Sequence, residues 1–218
     1  MEKLFIQARY NGEINKEKID LSALPQKTGL FSSIQYVDFL PVIKEYVEAQ
    51  GKKAELFKLE DHKGQVLGCS IKKINGVDAI LYIGDGMFHP LALGIENSIP
   101  IYVFNPLTDE FFTLPEESFE KFRRKQKASM ASFFSSKNIG VLVSLKDGQF
   151  NIKASEQLKE KYPDKNYYIL IFDTLDFSQI ENFSFIECFV NTACPRISYD
   201  ENQKFPRPIT EVGLLLNN

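Results

Sequence analysis

Two cysteines in predicted loops carry the clearest potential for chemistry in this chain. Cys69 follows Gly68 and Cys194 precedes Pro195, and both come after apolar runs, where a thiolate can bind a metal or act as a nucleophile. About 125 positions separate them, so their spacing matches neither a zinc ribbon nor a clustered ferredoxin motif. A buried structural thiol is the alternative explanation for each. Cys188 lies inside the apolar run 185–190 and is predicted to be a core residue.

A glycine-containing loop from Gly84 to His89 is the second candidate for chemistry. It follows the apolar run 77–83, which is typical of a strand buried on both faces of a parallel sheet. Open α/β sheets bind ligands outside the carboxyl ends of their strands, and Gly84 and Gly86 would let backbone N–H groups approach an anionic or zwitterionic group. Asp85 and His89 would add polar side chains there. The alternative is a plain strand-to-helix turn in which Asp85 caps the next helix, because the third glycine of the dinucleotide fingerprint is missing.

The elements that must position these residues alternate between strands and helices, which predicts an α/β fold. Apolar runs predict strands at residues 4–8, 28–35, 53–59, 77–83, 99–104, 139–144, 167–172 and 185–190. A polar segment, 135–138, follows the long predicted helix Glu116–Phe134 and precedes a new strand and helix. We therefore expect two similar domains with small parallel sheets flanked by helices. Residues 1–136 would carry Cys69 and the Gly84–His89 loop, and residues 137–218 would carry Cys194.

Composition narrows the class of protein. The chain has 218 residues, of which 44% are hydrophobic, so it can bury a real core. A net charge of −3 and a pI near 5.6 argue against direct binding of nucleic acid. No apolar run approaches the roughly 20 residues of a membrane span, and no signal peptide is apparent, so we expect a cytoplasmic protein. The chain has three cysteines, an odd number, and no apparent secretion signal, which argues against a framework of disulfide bonds.

Three separated motifs resemble one known family. They are Gly64-Gln-Val-Leu-Gly-Cys69, Gly84-Asp-Gly-Met-Phe-His-Pro-Leu-Ala-Leu93 and Thr192-Ala-Cys-Pro-Arg-Ile-Ser198. Together, and in this order, they are similar to the 2-(3-amino-3-carboxypropyl)histidine synthases of the diphthamide synthesis family. The resemblance covers almost the whole chain.

The resemblance implies an iron–sulfur enzyme. In this family three cysteines, one from each of three similar domains, hold a 4Fe-4S cluster, and its free iron binds S-adenosylmethionine. The reduced cluster cleaves the Cγ–S bond, and the resulting 3-amino-3-carboxypropyl radical adds to a histidine of translation elongation factor 2. Cys69 and Cys194 match cluster ligands. The positions implied for S-adenosylmethionine are Gly84, Asp85, Gly86, His89, Ser144, Gln149 and Arg196. For Arg196, a structural salt bridge is the alternative to pairing with the ligand carboxylate.

Two cysteines of this chain match cluster ligands, whereas the family uses three. The chain resembles the second and third domains and the tail of the first, so the cysteine of the first domain has no counterpart. A second copy in a homodimer, or a companion chain with the missing domain, could supply that thiolate. Otherwise the cluster is held differently, or the chain is a catalytically silent subunit that supports the cluster of another chain.

Overall fold

The computed structural model describes residues 4, 6–68 and 72–217, and it divides the chain into two compact units, Met1–Lys121 and Phe122–Asn218. The division falls inside helix α3 (Glu116–Ser135), whereas the sequence places the domain boundary after residue 136. The physical reason is that Met130 and Phe133, on the second half of α3, pack in the core of the second unit. In the described part of the chain, no helix is long and apolar enough to cross a membrane.

The first unit is built on a five-stranded sheet in the order β2-β1-β3-β4-β5. Its strands are β1 (Lys27–Ser32), β2 (Lys53–Glu55), β3 (Ala79–Ile83), β4 (Ile101–Asn105) and β5 (Glu110–Thr113). The first four pair in parallel, and β5 runs antiparallel to β4. Helices α1 (Leu40–Glu48) and α2 (Phe88–Glu96) connect the strands, with short 3-10 turns at Lys16–Lys18 and Val37–Phe39.

Strand β3 is the centre of the first unit, and all five of its residues are buried. Its side chains alternate between two apolar clusters, so Leu81 lies with Leu40 and Ile43 of α1, whereas Ile80 lies with Leu93 of α2. Helices on both faces of a parallel sheet explain why the strand is apolar at every position.

The second unit is built on a fully parallel sheet in the order β7-β6-β8-β9. Its strands are β6 (Asn138–Ser144), β7 (Asn166–Phe172), β8 (Cys188–Asn191) and β9 (Ile209–Glu211). Its helices are α4 (Ile152–Lys161), α5 (Phe177–Ile180), α6 (Arg196–Tyr199) and α7 (Val212–Leu216), with a 3-10 turn at Asn202–Lys204. Two parallel-dominated sheets flanked by helices confirm the predicted α/β class.

Apart from the exact ends of the strands, the strand prediction is wrong in three places. Residues 4 and 6–8 are not in a strand, since Leu4 and Ile6 are exposed and have no neighbouring strand to pair with. Neither β5, which runs antiparallel to β4 after a turn at Asp109 (φ +57°), nor β9 is predicted from the sequence. β5 and β9 have only four and three residues, so neither shows a clear periodic signal.

Phe133 provides a test of the second core, with its neighbour Phe134 as the control. Phe133 is fully buried and lies 5.2 Å from the Tyr162 ring, whereas Phe134 is 51% exposed. Phe133→Ala should lower the free energy of unfolding by about 3–5 kcal/mol, because the truncated ring leaves a cavity. Phe134→Ala should cost less than about 1 kcal/mol. Urea unfolding followed by circular dichroism measures both, and equal losses would contradict this packing.

Candidate functional site

The carboxyl ends of the parallel strands of the first unit lie at one edge of the sheet. β1 ends at Ser32 and β3 ends at Ile83, and the two residues pair in register. The segment that leads toward Cys69 joins the same edge, because the Ser32 N–H donates to the Gly64 carbonyl at 2.9 Å and the Val66 N–H donates to the Ser32 carbonyl at 3.0 Å. The loop that begins at Gly84 therefore starts beside the segment that precedes Cys69.

Gly84 is required by a close approach to Tyr82. A Cβ atom at position 84 would lie 2.8 Å from the Tyr82 hydroxyl oxygen and 2.9 Å from its ring. The Gly84 N–H donates to the Phe104 carbonyl at 3.0 Å, which fixes the start of the loop on β4. Gly86 has φ +75°, in the region that favours glycine, so the chain turns here before α2 begins.

Asp85 is exposed and lies at the Tyr36 hydroxyl. Burial raises the pKa of Tyr36 to about 12, and the charge and hydrogen bond of Asp85 add to the effect. The alternative in which Asp85 caps the next helix is wrong, because the N-cap residue of α2 is Met87 and its side chain makes no capping hydrogen bond. The exposed carboxylate therefore interacts with the Tyr36 hydroxyl and does not cap α2.

His89 packs on the buried side of the same loop. Its ring stacks on Tyr82 with 5.9 Å between centroids and an interplanar angle of 17°. Nδ1 lies 3.4 Å from the Tyr82 hydroxyl oxygen, and burial raises the pKa of that hydroxyl. Tyr82 thus contacts both Gly84 and His89, which brings the predicted residues of this loop into one cluster.

The loop also contacts the residue before Cys69. A Cβ atom at Gly68 would lie 1.8 Å from the Phe88 ring, so only glycine fits against the first residue of α2. Cys69 itself, with Ser70 and Ile71, lies outside the described residues. Its predicted role as a cluster ligand stays a prediction.

In the second unit, the Asn191 side chain holds the loop that carries Cys194. Asn191 is buried at the end of β8, and its Nδ2 donates to the Cys194 carbonyl at 2.9 Å and to Glu211 Oε1 at 2.8 Å. Its Oδ1 accepts from the Ala193 N–H at 3.0 Å. One amide therefore ties the loop to β9 through three hydrogen bonds. The Cys194 thiol is free and half-buried, so a metal can reach it.

Glu211 lies in a cavity of about 430 Å³ between α3, α6 and β9. Burial raises the pKa of its carboxyl from an ordinary 4.5 to about 7, although the Asn191 hydrogen bond opposes this rise. Ser198 is close enough to lower the same pKa, yet its hydroxyl makes no hydrogen bond of good geometry. Gln126 Nε2 and Thr210 Oγ1 are also buried without a partner. The cavity thus has a polar lining beside the Cys194 loop.

Ser144 and Gln149 occupy the loop after β6. Ser144 is buried, and its Oγ accepts from the Lys146 N–H at 3.1 Å, so it stabilises the turn at the strand end. The Gln149 N–H donates to the Lys146 carbonyl at 3.0 Å, and Gly148 between them has φ +74°. Both residues lie at the carboxyl edge of the sheet from which the Cys194 loop also leaves.

Arg196 is accessible to a ligand, whereas Cys188 is not. Arg196 Nε pairs with Asp200 at 2.6 Å, one turn along α6, and this carboxylate raises the pKa of the guanidinium. The pair is about half exposed, so a stronger acceptor could compete for the guanidinium. Cys188 is fully buried in β8, as the sequence predicts, and burial raises the pKa of its thiol to about 12. A thiol in that state is unsuited to bind iron.

Among the described residues, Cys194 is the cysteine suited to bind a metal cluster. Among residues 6–68 and 72–217, no group of three or more His, Cys, Asp or Glu side chains is placed to hold a metal. Cys194 is accessible, and its loop is fixed by Asn191, so it suits a site completed by thiolates from elsewhere. Cys188 does not suit such a site.

Sequence reasoning missed four residues of these clusters: Tyr36, Tyr82, Asn191 and Glu211. Asn191 had a detectable signal, as the polar residue that ends an apolar strand three positions before Cys194. Tyr82 looked like one more apolar position of β3. Nothing in the sequence indicated a role for Glu211, because β9 is short and α7 follows it directly.

Comparisons with known proteins identify the family of this chain. A family model described as "Putative diphthamide synthesis protein" matches residues 4–214. The chain is 30% identical to the 2-(3-amino-3-carboxypropyl)histidine synthase of Pyrococcus horikoshii, over 94% of this chain and 61% of that protein. It is 27% identical to the enzyme of the same name from Methanocaldococcus jannaschii, over 87% of this chain and 60% of that protein.

A solved structure gives the same result. The chain is similar to the crystal structure of Dph2 from Pyrococcus horikoshii with a 4Fe-4S cluster, with a TM-score of 0.77 and 27% identity over 91% of this chain and 59% of that one. The chain thus spans about three fifths of the length of these relatives. With a family model that matches nearly its whole length, the chain belongs to the diphthamide synthesis family.

Proposed function

We propose that this chain acts in the first step of diphthamide biosynthesis, as a cytoplasmic enzyme or enzyme subunit. The reaction transfers a 3-amino-3-carboxypropyl group from S-adenosylmethionine to a histidine of translation elongation factor 2 by a non-classical radical mechanism. The observation that carries the proposal is the half-buried Cys194 thiol, held by Asn191 at the carboxyl edge of a sheet in a chain of this family.

Cys194 and Cys69 would each donate a thiolate to a 4Fe-4S cluster, with a third thiolate from a second copy or a companion chain. When bound, the cluster supplies the electron that cleaves the sulfonium. The protein's part is to orient the ligand and exclude competing reactions. In support, Asn191 fixes the backbone of Cys194 on both sides, through the carbonyl of residue 194 and the N–H of Ala193.

The proposed contacts to S-adenosylmethionine lie in loops at strand ends. Gly84 and Gly86 would present backbone N–H groups to the ligand, and the exposed Asp85 carboxylate would attract its positive charge. His89 would line the same loop, and Ser144 and Gln149 would contribute from the loop after β6. Arg196 would bind the ligand carboxylate in place of Asp200.

A silent partner subunit is the second candidate function. One observation favours it: Cys188 is buried with its pKa raised, so no more than two of the three cysteines can serve a cluster. In that role the chain would support the cluster of another chain and transfer no group itself. Iron and sulfide content after anaerobic purification discriminates between the two candidates.

The cysteines should differ in their effect on the cluster. After anaerobic reconstitution, the chain should show a broad iron–sulfur absorption band that Cys194→Ala or Cys69→Ala reduces. Cys188→Ala is the matched control and should leave the band unchanged, because that thiol is buried in β8. An equal loss from all three substitutions would refute the ligand assignment.

S-adenosylmethionine should stabilise the reconstituted chain, together with its partner. At a hundredfold excess over the dissociation constant, binding adds about 2.7 kcal/mol to the free energy of unfolding, seen as a rise in melting temperature. Asp85→Ala and Gln149→Ala should weaken the shift, and Arg196→Ala should weaken it most. Lys204→Ala is the control, since this lysine is also exposed and paired along the chain, with Glu201. An equal shift with ATP would contradict the assigned site.

Glu211 should make the stability of the chain depend on pH. Its carboxyl has a higher pKa in the folded than in the unfolded state, so the folded state retains the proton and stability falls as pH rises from about 4.5 to 7. Glu211→Gln keeps the acceptor for Asn191 and removes the titration. Its advantage in free energy of unfolding over the unsubstituted chain should grow by about 1–3 kcal/mol between pH 5 and pH 8. Urea unfolding at both values measures it, and a constant difference would show that Glu211 is not buried as described.

A further inference from the structure

The cavity between α3, α6 and β9 contains polar groups that the proposed function does not use. Its volume of about 430 Å³ is that of a small-molecule site, and every residue that lines it belongs to the unit Phe122–Asn218. Phe122, Gln126 and Ser129 line it from α3, where they recur at helical spacing. The other walls come from α6, β9 and the 3-10 turn Asn202–Lys204.

Two buried hydroxyl groups of this lining make no hydrogen bond. Ser198 is 8% exposed and Thr210 is 1% exposed, and neither hydroxyl has a partner among the residues that the structure describes. The Nε2 atom of Gln126 is buried in the same way. Buried polar atoms are almost always paired in native proteins, because an unpaired one lowers stability. Three such atoms around one cavity therefore indicate a ligand that pairs with them.

Glu211 adds an acidic group to the same cavity. Its Oε1 accepts from Asn191, so Oε2 remains for another contact. Part of the residue is accessible to water, as expected for a side chain that lines an open cavity. Burial raises the pKa of this carboxyl to about 7, and hydrogen bonds from Ser198 and Asn191 oppose the rise. In the described part of the chain no charged side chain acts on it, so the ionised carboxylate lacks a counter-charge.

The remainder of the lining is neutral or apolar, apart from one lysine. The titratable groups besides Glu211 are Lys125 and Tyr199. Lys125 is exposed, so its ammonium group is solvated by water. The Tyr199 ring meets the Phe122 ring edge to face, with 4.5 Å between centroids, and Ile209 adds a second apolar contact surface. These walls suit a carbon chain attached to a polar group.

We propose that this cavity binds a small organic amine, with the ammonium group of the ligand at Glu211, Ser198 and Thr210. A primary ammonium group has three N–H donors, and one carboxylate with two hydroxyl groups supplies three acceptors. The positive charge also supplies the counter-charge that the buried carboxylate lacks. An anionic ligand would be repelled by Glu211, and a neutral ligand would leave the carboxylate without a counter-charge.

The inference goes beyond the proposed function, because the site uses different residues. No residue that lines the cavity is a proposed ligand of the cluster or of S-adenosylmethionine. Arg196 lies on α6, as Ser198 does, but it does not line the cavity. The amine site and the cluster site can therefore be tested separately.

Butylamine is the probe, and butanol is its matched control, because it has the same carbon chain with a hydroxyl group in place of the amine. In an NMR titration of the isotope-labelled full chain at pH 8, butylamine should shift the backbone amide signals of Ser198, Thr210 and Glu211. The dissociation constant should be in the millimolar range, as expected of so small a ligand. Butanol should bind at least tenfold more weakly. Equal affinity for the two probes, or no shift at these residues, overturns the proposal.

Substitutions in the cavity test the ammonium contacts. Glu211→Gln should weaken butylamine binding at least tenfold, because it removes the charge and retains the acceptor for Asn191. Ser198→Ala should weaken it by a smaller factor, since one acceptor of three is lost. Glu156→Gln is the control, which makes the same change at an exposed position of α4 and should bind normally. Unchanged melting curves by circular dichroism would show that the variants fold, and a folded Glu211→Gln variant with unchanged affinity would refute the site.

The unsubstituted chain tests the same contact through pH. Butylamine stays charged at pH 5 and at pH 8, whereas Glu211, with a pKa of about 7, is mostly ionised only at the higher value. Its affinity for the chain should therefore rise at least tenfold between the two, and that of butanol should stay constant. A butylamine affinity independent of pH contradicts the proposal. This result would leave the cluster assignment untouched, because iron–sulfur absorption is measured separately.

Discussion

Burial of the central strands on both faces is the constraint on which both units depend. β3 and β6 each lie between two layers of helices, so nearly every side chain on them must be apolar and their polar backbone must pair within the sheet. Polar side chains can then appear only where a strand ends. Within each sheet the parallel direction brings those ends to one edge, which is why Asp85, Ser144 and the Cys194 loop all lie at strand ends.

This constraint also explains what sequence could predict. The α/β class, the long helix α3 and strands β3, β4, β6 and β7 follow from continuous apolar runs and glycine or polar boundaries. The burial of Cys188 was predicted from its position inside such a run. The strand predicted at residues 4–8 is wrong because an apolar pattern forms a strand only where a neighbouring strand can pair with it. Leu4 and Ile6 are exposed. β5 and β9 were missed because they are too short to show periodicity. Each forms only by pairing with the strand before it, β4 for β5 and β8 for β9.

The candidate site was predictable to a similar degree. Sequence motifs identified the loop Gly84 to His89 and the loop that carries Cys194, because the residues of each loop are consecutive in the chain. Their supports come from elsewhere in the chain. Asn191 meets Glu211 because two strands pair in register, and Asp85 meets Tyr36 because parallel strands end together. Such contacts depend on tertiary structure, and spacing along a single chain does not reveal them.

The different burial of Cys188 and Cys194 has a consequence for the response of this protein to oxygen. Oxidation by peroxide begins at a thiolate, and the raised pKa of Cys188 leaves it almost no thiolate at neutral pH. Cys194 is half-buried in a loop, so small oxidants can reach it as well as iron. Of these two sulfurs, the proposed cluster ligand is therefore the more exposed to oxidation, while Cys188 is protected in the core.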